Sequence, residues 1–349
     1  MRTVLREIYR FLIGVIVLVV VLVAGFFGYA SATEYSPAAV EPVAIDGAAG
    51  APLAAGSSVD VVTFNIGYAG LSADQDFFMD GGTMVQPASP DVIMNNLNGI
   101  ASTLRANPAT FYFIQEADVS SQRSFGIDET QYLHDAIGGQ AAYAPNFRSL
   151  FTPYPWPPIG RVESGLLTLA QPQVAQAERV ALPVPFPWPV RLFNLKRCLL
   201  VERVPLSDGT SLVMINVHLE AYDSSGGNSA QTKVLLDFAT AEYQKGNHVI
   251  IGGDFNQSLP GFSFPQISTN WVPQPFDATL IPSGWTVATD PTVATSRLND
   301  HPYVAGQTQL FGIDGFIVSP NVSVDEVRGI EQGFVYADHN PVHLKATLK

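Results

Sequence analysis

The sequence predicts an α/β fold of strands covered by helices, preceded by one transmembrane helix. Three features carry this reading. Eight apolar runs of strand length recur after residue 57: VDVVTFNI, TFYFIQE, SGLLTL, CLLVERV, SLVMINVHL, HVIIGGDFN, FGIDGFIV and PVHLKATL. Between some of them lie segments of helical period, VIMNNLNGIASTLRAN and SAQTKVLLDFATAEYQKG, and runs that are apolar throughout suit strands covered on both faces. Ahead of them stands FLIGVIVLVVVLVAGFFGYA, 20 residues without a charge, matching the ~20 residues that span a bilayer.

The chain divides accordingly. Residues 1–32 read as a cytoplasmic stub and transmembrane signal-anchor, 33–56 as a flexible linker and 57–349 as the folded domain. Arg2, Arg6 and Arg10 precede the apolar run, so by the positive-inside rule the domain lies outside the cytoplasm on a single-pass anchor in the cell membrane. Ala30-Ser31-Ala32 resembles a cleavage site, which leaves secretion as the alternative. The apolar run is longer than the ~7–15 residues of a signal-peptide core, and this favours an uncleaved anchor. TEYSPAAVEPVAIDGAAGAPLAAGSS, rich in proline and small residues, shows no periodicity and reads as a tether.

The net charge is −13, and because three arginines and one glutamate give the first 32 residues +2, the remainder carries −15. Tight nonspecific binding to a nucleic acid draws on phosphate neutralisation by Lys and Arg, so a polyanionic partner is disfavoured. The one cysteine, Cys198, excludes an intrachain disulfide and, within RLFNLKRCLLVERV, reads as a buried structural thiol.

Two segments interrupt the pattern, TPYPWPPIG at 152–160 and LPVPFPWPV at 182–190. Proline fixes φ and lacks an N–H donor, so neither can be helix or interior strand. They are either extended loops whose aromatics cover the edge of the core or an apolar lip facing a membrane or lipidic substrate. An insertion, ADQDFFMDGGTMVQ, places Asp74, Asp76 and Asp80 close together. It lacks the order and terminal glutamate of an EF-hand loop and reads as a polar rim loop near the site.

Polar residues close the apolar runs: Asn65, Glu116, Asn216 with His218, Asp254 with Asn256, Asp314, and Asp338 with His339. In IIGGDFNQSL the two-residue alternation of a strand would put Asp254 and Asn256 on one face. Each has an ordinary explanation alone, as turn, cap or satisfied core residue. Together they describe strand ends meeting at one rim, where sites are built in layered folds.

In order along the chain, Asn65, Gln115-Glu116, Asn216-x-His218-Leu219, Gly253-Asp254-Phe255-Asn256, Ile313-Asp314 and Asp338-His339-x-Pro341 resemble the endonuclease/exonuclease/phosphatase superfamily of metal-dependent phosphohydrolases, which includes DNase I-like nucleases, neutral sphingomyelinases and inositol polyphosphate phosphatases. The resemblance implies a DNase I-like four-layer sandwich, two mainly antiparallel β-sheets flanked by helices, with the site at one edge. It also implies roles. Glu116 would be the principal carboxylate ligand of Mg²⁺, or of Mn²⁺, with Asn65 beside it and Asp338 near the metal or bridged to it by water; hard oxygen ligands suit such ions. Asp254 and Asn256 would place the attacking water and the phosphate. His339 would be the general base, its tautomer fixed by Asp314, and His218 would contact the phosphoryl oxygen or protonate the leaving group. His134, His248 and His343 read as surface or strand-flanking residues, while His301, with Arg297, Asn299 and Asp300, and Arg161 receive no family role.

The sequence therefore points to a membrane-anchored, Mg²⁺-dependent phosphoric ester hydrolase, a phosphodiesterase acting on a phospholipid or other small phosphoester. An extracytoplasmic DNase I-like nuclease and a catalytically silent membrane-tethered binding module are the alternatives. The complete set of acids and histidines argues against the silent one. Oligomeric state is not legible.

Overall fold

The computed structural model describes residues 2–222 and 226–349. Its strands in the two main sheets are, in chain order, β1 (Val40–Pro42), β2 (Ile45–Asp46), β3 (Ser58–Asn65), β4 (Phe111–Asp118), β5 (Gln140–Thr152), β6 (Gly160–Ala170), β7 (Gln176–Ala181), β8 (Cys198–Pro205), β9 (Ser211–His218), β10 (His248–Asp254), β11 (Thr286–Ala288), β12 (Asp314–Val318), β13 (Val322–Gly329) and β14 (Val342–Leu348). One seven-stranded sheet runs β1-β7-β8-β9-β10-β12-β11 and the other β13-β14-β3-β4-β6-β5-β2. The helices are α1 (Arg2–Ala32), α2 (Pro90–Ala106), α3 (Glu129–Ile137) and α4 (Gly227–Gln244).

Three apolar layers stack these elements. Phe111 and Phe113 of one sheet meet Met214, Ile250 and Phe316 of the other in the central core. Leu235, Leu236 and Ala239 of α4 cover the outer face of the first sheet at Ile215 and Ile251. Ile93, Leu97, Ile100 and Leu104 recur at helical spacing on α2 and, with Leu133 of α3, cover the outer face of the second. The result is the four-layer sandwich, and continuous apolar strands are explained by burial on both faces.

Neighbouring strands in these sheets pair antiparallel, except for β3 with β4 and β9 with β10. A parallel pair needs a crossover, and α2 and α4 supply the two. In each pair, therefore, both carboxyl ends emerge at the same edge: Asn65 lies opposite Gln115, and His218 opposite Asp254. The antiparallel β12 begins at that edge, with Asp314 opposite Asp254.

Several elements differ from the sequence expectation. Residues 33–56 are not a free tether. Val40–Pro42 pairs with β7, Ile45–Asp46 pairs with β5, and Leu53 bridges Leu206. Edge pairing needs few side chains, so strands this short leave no period to read. Strands β5, β7 and β13 and helix α3 also lack a continuous apolar run; β13, at the edge of its sheet, buries only Val322 fully. Cys198 is fully buried on β8, and burial pushes its thiol up to about 11, as an inert core residue requires. Helix α1 is apolar and long enough to cross a membrane; a signal sequence would share those properties.

One core group contributes a measurable pH dependence. Glu202 on β8 is 1% exposed, its Oε2 has no partner, and burial raises its carboxyl to about 8. A carboxyl with a folded pKa above its unfolded value contributes full stability at low pH and loses it as pH rises from about 4.5 through about 8. We expect Glu202→Gln to unfold with a flatter pH profile. Denaturant titrations at pH 5 and pH 9 should show wild type losing on the order of 2–4 kcal/mol more than the variant across that interval.

Candidate active site

The two parallel pairs bring their polar ends together across the seam between the sheets. Asn65 Nδ2 donates to Glu116 Oε1 at 3.2 Å and to Asp254 Oδ2 at 3.0 Å, joining one sheet to the other. The Asn65 amide oxygen accepts from Gly67 N at 3.0 Å. Deeper in the same seam, Gln115 Nε2 donates to Asn216 Oδ1 at 2.8 Å, and Asn216 Nδ2 reaches the carbonyls of Ile114 and Leu167. Asn216 is thus a buried cross-sheet tie, two residues short of the strand end.

Backbone irregularities aim the ends. The β4–β6 register breaks between Ile114 and Ala117, and Glu116 sits in this bulge with φ of 55°. A left-handed non-glycine residue costs on the order of 1–3 kcal/mol, so the surrounding structure must impose it. Strand β10 stops at Asp254, so the alternation expected for Asp254 and Asn256 does not extend that far. Asn256 has φ of 49°; its N–H donates to Asp254 Oδ1 at 2.8 Å, and its side chain donates to Leu219 O at 2.8 Å. Gly253 makes the turn possible, because at φ +148° a Cβ would lie 2.0 Å from Val217 O.

His339 Nδ1 is 2.8 Å from Asp314 Oδ2, and its Nε2 is 3.8 Å from Asp254 Oδ2. His218 Nε2 approaches the same Asp254 oxygen at 3.5 Å. All four residues are buried. Burial opposes the His339 imidazolium, but the carboxylates of Asp314, Asp338 and Asp254 override it and raise the ring to about 10. His218 goes the other way: burial, then the charges of Arg197 and His339, push it well below its ordinary value. Burial raises the carboxyls of Glu116 and Asp254, partly offset at Glu116 by Arg123 and reinforced at Asp254 by Asp314.

Asp338 completes the arrangement. Its Oδ2 accepts from Asn299 Nδ2 at 2.8 Å, while its buried Oδ1 has no partner among the described residues. A Cβ on Gly67 would stand 2.5 Å from that oxygen, so glycine keeps the space beside it clear. Asp254, Asp314 and His339 also bring three donor atoms within 4.8 Å of one another, an acidic cluster able to hold a cation. The 2.8 Å bond from His339 to Asp314 already uses two of those groups as a pair.

Every residue singled out at the strand ends lies at this edge, apart from Asn216 beneath it. Three of the other four histidines lie elsewhere: His134 meets Gly139 O, His248 meets Lys349 O and His343 faces Asp60, while His301 pairs with Asp300 and Thr308 and its carbonyl accepts from Arg297. Of the three aspartates in the insertion, Asp74 and Asp76 satisfy their own loop, whereas buried Asp80 accepts from Tyr222 and from Asn299. Arg297 donates to the carbonyls of Leu71, Ser72 and Gln75 and so holds the insertion against the site. Sequence reasoning named Asn299 only as a neighbour of His301 and gave it no role, whereas it links Asp80 to Asp338; it missed the buried arginines Arg123 and Arg197. Arg123 pairs with Asp118 at 2.9 Å and lies over the Tyr68 ring, and Arg197 pairs with Glu220 at 3.3 Å. Only Arg197, inside the apolar run quoted for Cys198, carried a visible signal: a charge at the start of a strand.

The site floors a cavity of about 560 Å³ whose walls come from the insertion and from both proline-aromatic segments. Arg123 and Arg197 line it as well, each engaged by a buried carboxylate.

The profile of the Endonuclease/Exonuclease/phosphatase family matches residues 95–327. No curated protein matches the chain in sequence. Among solved structures, an endonuclease/exonuclease/phosphatase from Beutenbergia cavernae is 16% identical with a TM-score of 0.57, covering 83% of this chain and 72% of that one. TDP2 of D. rerio, complexed with single-strand DNA product, is 16% identical with a TM-score of 0.52, covering 83% and 99%. A Bacteroides vulgatus endonuclease/exonuclease/phosphatase is 15% identical with a TM-score of 0.52, covering 84% and 100%. At these identities the likeness establishes the DNase I-like fold, and the profile spans more than half of the sequence: the chain belongs to the Endonuclease/Exonuclease/phosphatase family of nucleases and phosphoesterases.

Proposed function

We propose that the protein is a divalent-metal-dependent phosphodiesterase, held at the outer face of the cell membrane by α1, and that it hydrolyses a phospholipid or another small phosphoester. The observation that carries the chemistry is the His339–Asp314 pair at 2.8 Å, set beside Asp254, with Glu116 tied to Asp254 through Asn65 and Asp338 next to His339 in the chain. The residues fit a hard cation such as Mg²⁺ or Mn²⁺: Asp338 Oδ1 is buried and unpartnered, Gly67 leaves room beside it, and the nearby carboxylates and amide offer oxygen. Glu116 and Asp338 would hold the ion, with Asn65 beside them. When bound, it supplies positive charge to the phosphoryl oxygens and offsets the carboxylate field that otherwise keeps His339 protonated.

The chain's own groups do the rest. His339 Nε2 takes the proton of the attacking water, and Asp314 holds Nδ1–H and stabilises the resulting imidazolium. Asp254 and Asn256 position the water and the phosphate, His218, held neutral by its burial, contacts the phosphoryl oxygen, and the leaving alkoxide takes its proton from solvent. Catalysis of this kind is positioning and preorganised electrostatics.

The apolar cavity walls and the net charge of −13 support a lipid or small ester over a polymer. A nuclease is the second reading, favoured by the likeness to a protein that holds single-strand DNA product. Release of headgroup from phospholipid vesicles without nicking of supercoiled plasmid separates the first from the second.

Chelation by EDTA should abolish hydrolysis, and Mg²⁺ or Mn²⁺ should restore it. Glu116→Gln is expected to lose metal affinity and turnover together, whereas His339→Ala retains metal binding by calorimetry and loses about 10²–10⁴-fold in rate. In chelated protein, ¹⁵N NMR titration should find the His339 ring protonated to about pH 10, and Asp314→Asn should return it towards its ordinary range. For topology, a C-terminal tag on intact spheroplasts should be digested by added protease. Protection until lysis would place the domain inside.

A further inference from the structure

We propose that the two proline-aromatic loops are a membrane-seated mouth through which the acyl chains of a lipid from the bilayer around α1 enter the catalytic cavity. The inference deepens the phosphodiesterase reading and rests on it for the choice of a phospholipid; its geometry rests on α1 remaining attached as a membrane span.

The argument begins with depth. The uncharged stretch between Arg10 and Glu34 covers residues 11–33. At 1.5 Å per residue, a hydrocarbon core of ~30 Å entered at Phe11 ends near residue 30. Phe26 and Phe27 then lie about 5 Å below that boundary. The globular domain touches α1 at this level: the Phe193 ring stacks on Phe26 with centroids 5.8 Å apart, and Trp188 lies 5.8 Å from Phe27. Trp188 Nε1 donates to Ser31 Oγ at 3.2 Å, and Glu34, the first charge after the span, meets Arg191 at 3.3 Å and Lys196 at 3.2 Å. Apolar contacts inside the boundary and ion pairs outside it are the order a membrane interface imposes. The second loop is therefore seated in the interface by its packing on the helix.

The first loop forms the other side of the mouth. Trp156 is 89% exposed, Tyr154 66% and Trp188 55%. An exposure of this size for a tryptophan in a folded domain needs an apolar surface to meet, and tryptophan and tyrosine are the residues that settle at headgroup level. The Tyr154 ring also lies 5.8 Å from that of Phe78, which joins the first loop to the insertion.

These segments open into the site. Phe78, Met79, Tyr154, Phe186, Val190 and Phe193 line the cavity whose floor holds His218, Asp254 and His339. Phe193 has both positions at once: it stacks on the membrane helix and lines the catalytic cavity. A continuous apolar path from the bilayer to a phosphoester-binding floor fits a double-ended ligand, with hydrocarbon on the walls and phosphate below. A water-soluble ester would use only the floor.

Two measurements on the full-length protein test this, and neither needs turnover. In phosphatidylcholine vesicles brominated in the acyl chains, tryptophan emission should be quenched. Because two of the four tryptophans are in the loops, Trp156→Phe combined with Trp188→Phe should remove more than about half of the quenching. In the His339→Ala protein, a phosphatidylcholine bearing a diazirine near the glycerol end of one chain should label peptides containing Tyr154, Phe186 or Phe193. Quenching equal in wild type and the double variant, label confined to α1, or recovery of the membrane-derived protein without residues 1–32 would each overturn the proposal. Failure to hydrolyse bis(p-nitrophenyl) phosphate in the presence of Mg²⁺ would instead overturn the phosphodiesterase reading, leaving the quenching and labelling results to decide the mouth.

Discussion

The structure depends on a polar seam between two apolar sheets. Asn65 ties Glu116 to Asp254, and Gln115 ties Thr63 to Asn216, which in turn reaches the backbone of the facing sheet. Apolar contacts between sheets tolerate sliding, but buried amides and carboxylates do not. Leaving one such group unpaired costs about 1–3 kcal/mol, so the seam admits one register. That register sets β4 against β9 and β10, and it decides that the carboxyl ends of two parallel pairs face each other. A hydrophobic seam of the same shape would hold the sheets together without fixing the relative height of their ends.

Once the ends are fixed, burial produces the electrostatics. Glu116 and Asp254 sit where water cannot support their charge, and both are driven towards the neutral form. The two histidines occupy similar depths yet diverge, because at His339 the Asp314 carboxylate 2.8 Å from Nδ1 outweighs burial, whereas at His218 burial, then the charges of Arg197 and His339, prevails. Environment, rather than residue type, separates an imidazolium from a neutral imidazole here. Asp338, half satisfied by Asn299 and open on its other oxygen, is where added positive charge would relieve the crowding most directly.

The central strands and both crossover helices were legible because they are covered on two faces and have no polar period to obscure them. The strand-end residues were legible because a polar side chain closing such a run is conspicuous. Position within the site was harder to read. Asn216 looks like a terminal residue and is a tie, since a sequence does not say which sheet a buried amide faces. Arg123 comes from a loop, where no period exists to be broken, and Asn299 was noticed beside His301 without a sign of its tie to Asp80 and Asp338. Asn256 lay beyond the strand that its spacing from Asp254 assumed, because a left-handed residue ends the alternation. The short edge strands at residues 40–46 were read as tether for the same reason: two or three paired residues impose almost no compositional demand.

Those edge strands change how the domain is joined to α1, the helix long and apolar enough to cross a membrane. A flexible linker would let the domain tumble independently of that helix. Here seven residues, 33–39, separate the end of α1 from β1. The chain then pairs with β7 at the edge of one sheet and with β5 at the edge of the other before entering the core at β3. Glu34 is held by Arg191 and Lys196. Because β5 leads into the first proline-aromatic loop and the strand pair β7–β8 flanks the second, the same pairings that hold the chain also position both sides of the cavity mouth. Orientation relative to α1 is thereby set by backbone hydrogen bonds close to the helix, and α1 and the edge that carries the candidate site form one mechanical unit.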